Sequence, residues 1–165
     1  MILDQYNGDR DLLLLVKYPN GQQFKTLFES FYFKLVSILR VLAVKNFTFG
    51  LTHKHTFDGE STREDNHHYV LHHFKAKEIN ADLFAELDRF TNKSVKIKYA
   101  GKMVAQLFMK EKDKAEEPIE SIMDGLVIFE SDSKQALNQL IQSQAYQQLI
   151  KQLDASYISF LKRML

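Results

Sequence analysis

DGLVIFESDSKQALNQLIQSQAYQQLIKQLDASYISFL, residues 124 to 161, holds the reading that decides the fold. Leu126 to Phe129 is a short apolar run of strand type. Ser131, Asp132 and Ser133 then offer side-chain oxygens to the free N–H groups that open a helix. Leu137, Leu140, Ile141, Ala145, Leu149 and Leu153 recur at helical spacing and predict one apolar stripe. Tyr157 to Leu161 returns as a strand. A strand, a helix and a strand in succession form a βαβ unit, which lays its helix on one face of a sheet.

The same pattern recurs upstream, with starts near Leu12, His68 and Gly125 at almost equal intervals. In the first copy, Leu12 to Tyr18 is an apolar run closed by the turn formers Pro19, Asn20 and Gly21. From Phe24, apolar residues at Leu27, Phe28, Phe31, Leu35, Ile38, Leu39 and Leu42 predict a long helix reaching Val44. Phe33, Val36 and Val41 lie off this stripe, so the helix is expected to meet a second partner, either within a thick core or across a subunit interface. Phe47, Phe49, Leu51, His53, His55 and Phe57 alternate with polar residues as a half-buried strand does. Asp58 to Asn66 contains no apolar residue and reads as a loop, after which His67 to Ala76 is expected to pair with the preceding strand as a hairpin.

In the middle copy, Asn80 is an N-cap candidate for a helix carrying Leu83, Phe84, Leu87 and Phe90. Residues 94–100 are ambiguous. Val95, Ile97 and Tyr99 alternate as in a strand, but they also extend the helical stripe towards Gly101. The longer helix is the favoured reading, with Met103 to Met109 as the next strand and Lys110 to Asp124 as a charged loop that includes the acidic residues from Glu111 to Glu120.

Composition bounds the function. The 165 residues fit one domain, with 45% hydrophobic and 26% charged residues, as in ordinary globular chains. Twenty-two basic and 21 acidic residues leave a net charge of +1, which offers no broad field for nucleic acid or an anionic membrane. The absence of cysteine excludes disulfides, thiolate metal sites and thiol nucleophiles. The acidic start, with Asp4, Asp9 and Asp11, does not resemble a secretory signal, so a cytoplasmic location is expected. Lys25, Glu29, Lys34 and Arg40 interrupt the greasiest segment, and each would cost about 2.5–3.5 kcal/mol at a bilayer centre. It is expected to be a core helix.

All six histidines lie between His53 and His73. In the expected hairpin with His53 opposite His72, the residues His53, His55, His68 and His72 share one face. A slip by one residue substitutes His67 and His73. Imidazoles gathered in this way could ligate a metal ion. Alternatively, His53, His55 or His72 could line a cavity and exchange protons with a small ligand. A purely structural role is the third reading. Tyr18, Tyr32, Tyr69, Tyr99, Tyr146 and Tyr157 could anchor a ligand or simply fill the core. No phosphate-binding glycine loop, dinucleotide fingerprint or His-Glu-x-x-His helix is present, and the aromatic signature of RNA-recognition sheets is missing.

The stretch from Leu14 to His53, LLVKYPNGQQFKTLFESFYFKL through NFTFGLTH, resembles the first half of the ethyl tert-butyl ether degradation family. The part from Tyr69 onward, with KYAGKMVAQL, DGLVIFESDSKQAL and SQAYQQLIKQL, is similar to a small bacterial family of unknown function. Both resemblances point to the dimeric α+β barrel superfamily. They imply ferredoxin-like βαβ units with an antiparallel sheet, a 12–66 N-terminal part, a complete βαββαβ module over 67–165, and pairing with a second copy. The implied function is a small-molecule-binding protein or cofactor-independent enzyme with a cavity between sheet and helices. A metal- or haem-binding protein built on the histidine hairpin and a non-catalytic assembly protein are the alternatives.

Overall fold

The computed structural model describes residues 2–5, 12–14, 21–35, 47–57, 67–78, 81–109 and 123–163. In chain order these contain β1 (Ile2–Gln5), β2 (Leu12–Leu14), α1 (Gly21–Glu29), β3 (Phe47–Phe57), β4 (His68–Lys75), α2 (Ala81–Asp88), β5 (Lys96–Met109), β6 (Gly125–Ser131), α3 (Lys134–Gln142), α4 (Gln144–Gln152) and β7 (Ala155–Arg163). The fold class is α+β, as expected. The strands form one seven-stranded sheet in the order β2-β1-β7-β4-β6-β5-β3, and every pair of neighbouring strands among the described residues is antiparallel.

The four inner strands come from the C-terminal part, connected as β4-α2-β5-β6-α3-α4-β7. The N-terminal part supplies both margins. The β1–β2 pair extends the sheet beside β7, and β3 extends it beside β5.

Alternation along the strands separates two cores. On one face, Val70 and Phe74 of β4 and Val127 and Phe129 of β6 pack against Phe84 and Leu87 of α2, Leu137 and Leu140 of α3, and Tyr146 and Leu149 of α4. On the other face, Tyr69, Leu71, Tyr99, Leu126, Ile128 and Leu161 form a second buried cluster, with Met103 against it. All seven residues of β6 are buried, as a strand covered on both faces requires.

Several expectations are corrected. The β3–β4 hairpin does not form: β3 pairs with β5, placing His53 opposite Lys102, while β4 lies between β6 and β7. A ladder of backbone bonds is indifferent to sequence, so closeness along the chain does not choose the partner. The favoured helix over residues 94–100 is instead a strand from Lys96. Helix α2 stops at Asp88, and Asn92 Oδ1 accepts from the N–H groups of Ser94 and Val95, turning the chain into β5. Ile97 then packs with the helices through its register with Phe129.

The last helix is two helices. Ser143 ends α3, its N–H reaching Leu140 O, and its extended backbone starts α4, where its hydroxyl accepts from Tyr146 N. The first helix also breaks early, at Ser30, whose hydroxyl accepts from Phe33 N. Residues 31–35 are again helical, but the break resets the face: Phe31 and Leu35, expected to be buried, are 73% and 45% exposed, and Phe33 is half-buried. Strand β1 had no signal in the alternation of its residues. Tyr18, Asn80, Val36, Val41, the loop over residues 58–66 and residues 110–122 of the second loop lie outside the described residues.

Candidate functional site

The six histidines do not meet at one point. His53 and His55 sit on β3, the other four on or beside β4, and β6 and β5 separate the two groups. Three inter-strand steps amount to roughly 14 Å. Among the described residues no group of three or more His, Asp or Glu is placed to hold a metal ion. His53 is exposed. His55, the extra residue of a bulge in β3, stacks on Phe84 with ring centroids 4.4 Å apart and planes 12° apart.

His72 is fully buried on the helix side. Its Nδ1 lies 2.6 Å from the Tyr146 hydroxyl and its Nε2 is hydrogen-bonded with the Ser156 hydroxyl. A neutral imidazole donates through one nitrogen and accepts through the other, so either tautomer satisfies both partners. Burial, helped by neighbouring His73, pushes the His72 pKa down to about 3, and burial raises that of Tyr146. This histidine is neutral at ordinary pH and enclosed by Phe74 and Tyr146 rings. His68 is half-buried on the same side, and burial followed by the charges of Lys134 and Lys162 lowers its pKa.

The opposite face carries a polar row that crosses four strands. Glu130 of β6 is its centre, with a side chain only 8% exposed. Its Oε2 lies 3.3 Å from Lys98 Nζ, and Lys98 is 7% exposed. Its Oε1 accepts from His67 Nδ1 at 2.6 Å and from the Tyr69 hydroxyl at 3.4 Å. A carboxylate held by an ammonium group accepts rather than donates, so His67 Nδ1–H is directed at Glu130 and Nε2 points away from it. The His67 side chain is 37% exposed, so this oriented imidazole reaches solvent while its support is dry.

A bulge extends the row towards β3. Ile97 pairs with Phe129 and Tyr99 with Ile128, which leaves Lys98 as the extra residue. The bulge turns Lys98 and Tyr99 to the same face, where simple alternation would oppose them. The Tyr99 hydroxyl bonds with that of Thr52 on β3. Burial raises the Tyr99 pKa and this hydrogen bond acts against the rise. The ring lies over Gly101, where an added Cβ would stand 2.8 Å from the Tyr99 hydroxyl and 3.0 Å from the His53 carbonyl oxygen. Gly101 is therefore the floor under Tyr99, not the helix end that the sequence suggested.

Sequence reasoning missed Glu130 and Lys98. The available signal was a carboxylate directly after the apolar run Leu126 to Phe129, with Lys98 amid the alternation of Val95, Ile97 and Tyr99. Between sheet and helices lies the buried apolar cluster around Val70, Phe129 and Leu137. Two surface grooves open on the helix side, one lined by residues such as Leu83, Leu149 and Asp154, the other by Arg89, Asn92, Gln139 and Ser143; no histidine lines either. No helix among the described residues is long and apolar enough to cross a membrane.

No protein-family model matches this chain, and no curated protein matches it. Among solved structures, a crystal structure of a protein of unknown function from Rhodopseudomonas palustris is similar at 16% sequence identity, covering 67% of this chain and 99% of that one with a TM-score of 0.36.

Proposed function

We propose that the chain is a small-molecule-binding protein of the α+β barrel type, in which residues 67–163 make a ferredoxin-like βαββαβ module and His67 exchanges a proton with the bound molecule. Support for the module is the strand order β7-β4-β6-β5 with helices between β4 and β5 and between β6 and β7. The single observation that carries the site is the 2.6 Å contact of half-exposed His67 with buried Glu130. An imidazole anchored through one nitrogen on a carboxylate presents the other in a fixed direction, the arrangement that general acid–base chemistry uses. Lys98 holds the carboxylate in place, and Tyr69 and Tyr99 add hydroxyls to the same face.

His72 is better suited to support than to proton transfer, because both its ring nitrogens are committed inside the core. His53 and His55 remain the competing proton carriers from the opposite margin. The test is a thermal-shift screen of small carboxylic acids, carbonyl compounds and phenols against the full chain. Hits are expected to raise the melting temperature of wild type, H53A and H55A alike, and to lose that effect in H67A and E130Q. Stabilisation that survives H67A and E130Q but disappears in H53A or H55A transfers the site to β3. A screen without any hit removes the binding reading.

A further inference from the structure

We infer that the groove between the turn after α2 and helix α3 binds small monocarboxylates with a compact apolar body, at a site separate from His67. The groove encloses about 470 Å³, within the range of about 300–1,000 Å³ usual for small-molecule sites. Its floor is the rim of the helix-side core: Val95 and Leu140 are buried, and Phe90 and Ala136 pack against that core. Phe90 stands edge-on to Tyr146 with ring centroids 5.0 Å apart, which holds its ring in place.

Both walls are shaped by the chain's own hydrogen bonds. Beyond α2, the N–H groups of Arg89, Phe90 and Thr91 bond to the carbonyls of Glu86, Leu87 and Asp88, and Asn92 N–H bonds to Val95 O. Asn92 Oδ1 accepts from Ser94 and Val95. On the other wall the Ser143 hydroxyl is committed to Leu140 O and Tyr146 N. What remains is a set of donors. Among the described residues no ion pair or hydrogen bond takes up the Arg89 guanidinium, Asn92 Nδ2 or the Gln139 amide. Arg89 is the one ionisable side chain lining the groove; Glu86 and Asp88 stand near it in sequence but line no part of it. A guanidinium meets a carboxylate through two parallel N–H···O bonds, and a side-chain amide can donate to the same oxygens. The apolar floor takes up the body of that molecule, which an inorganic anion lacks. A single fixed cation suits a single negative charge.

The inference stands whether or not His67 binds a ligand, and its test is separate. Benzoate is the probe, titrated near neutral pH into the isotope-labelled full chain and followed by amide NMR shifts. Shifts are expected to cluster at Phe90, Asn92, Val95 and Gln139, and to persist in His67→Ala. Arg89→Gln, at an exposed position, is expected to weaken benzoate binding about tenfold or more. Ala136→Phe, which fills the floor and keeps Arg89, is expected to abolish the clustered shifts. Benzamide, the neutral counterpart, is expected to bind about tenfold more weakly than benzoate, and inorganic phosphate not to compete. Absence of saturable shifts at millimolar benzoate, shifts confined to the His67 face, or equal affinity in wild type and Arg89→Gln would each overturn the inference.

Discussion

Alternate residues of β4 serve two different environments. Val70, His72 and Phe74 face three helices, and there the one polar side chain, His72, is closed in by Tyr146 and Ser156. His67 and Tyr69, one residue out of phase, face the other side and join a buried ion pair with an edge in solvent. The first environment uses a histidine as a neutral, doubly bonded core residue. The second holds one by a single ring nitrogen, with its edge in solvent. Residue type is the same in both, so the difference lies entirely in what the neighbouring strands and helices bring near.

The largest effect expected is at the ion pair. Lys98→Met leaves the Glu130 carboxylate buried without its cation, at a cost of about 3–5 kcal/mol, and Glu130→Leu does the same to Lys98. The double variant K98M/E130L is expected to recover most of that loss in urea denaturation while losing any ligand that depends on His67. Additive costs in the double variant would show that the two groups do not act as a pair.

The next effect sharpens the contrast with His72. Its folded pKa is about 3, against 6.5 in the unfolded chain, so between those values the unfolded state binds the extra proton. Stability is therefore complete above pH 6.5 and falls as the pH drops towards 3, by roughly 5 kcal/mol if the whole shift is realised. Comparison of denaturation midpoints for wild type and His72→Phe over pH 3.5–7.5 should show a slope that is shallower by about one proton in the variant. Identical slopes would place His72 in contact with solvent.

The smallest effect concerns the floor of the polar row. Gly101→Ala puts a methyl group against the Tyr99 hydroxyl and should cost about 1–3 kcal/mol by displacing the ring from Thr52. In a Tyr99→Ala background the same substitution should cost appreciably less. An equal cost in both backgrounds would assign the strain to the His53 carbonyl oxygen alone.

Much of the fold was legible. The apolar stripe at Leu137, Leu140 and Leu149 and that at Phe84 and Leu87 are buried as their spacing predicts, because a helix turns a 3.6-residue period into one face. The strands at Leu126 to Phe129 and Tyr157 to Leu161 are also where alternation and β-branched residues place them. Breaks were harder to see. At Ser30 and Ser143 the stripe continues through the interruption, and only a side-chain hydroxyl taking up a backbone N–H tells one helix from two. The candidate site was the least legible part, since the register of β5 with β6 and one bulged residue bring Lys98 to Glu130 across 32 positions of sequence.

The sequence by itself determined which residues prefer strand or helix and which side of each element is apolar, because those preferences are local and periodic. Tertiary structure alone decided that β3 lies against β5 and β4 between β6 and β7, and hence that His67 meets Glu130 while His53 and His72 stay apart. Backbone hydrogen bonds pair any two strands equally well. The choice among partners is made by the packing of both faces at once, which no single segment contains.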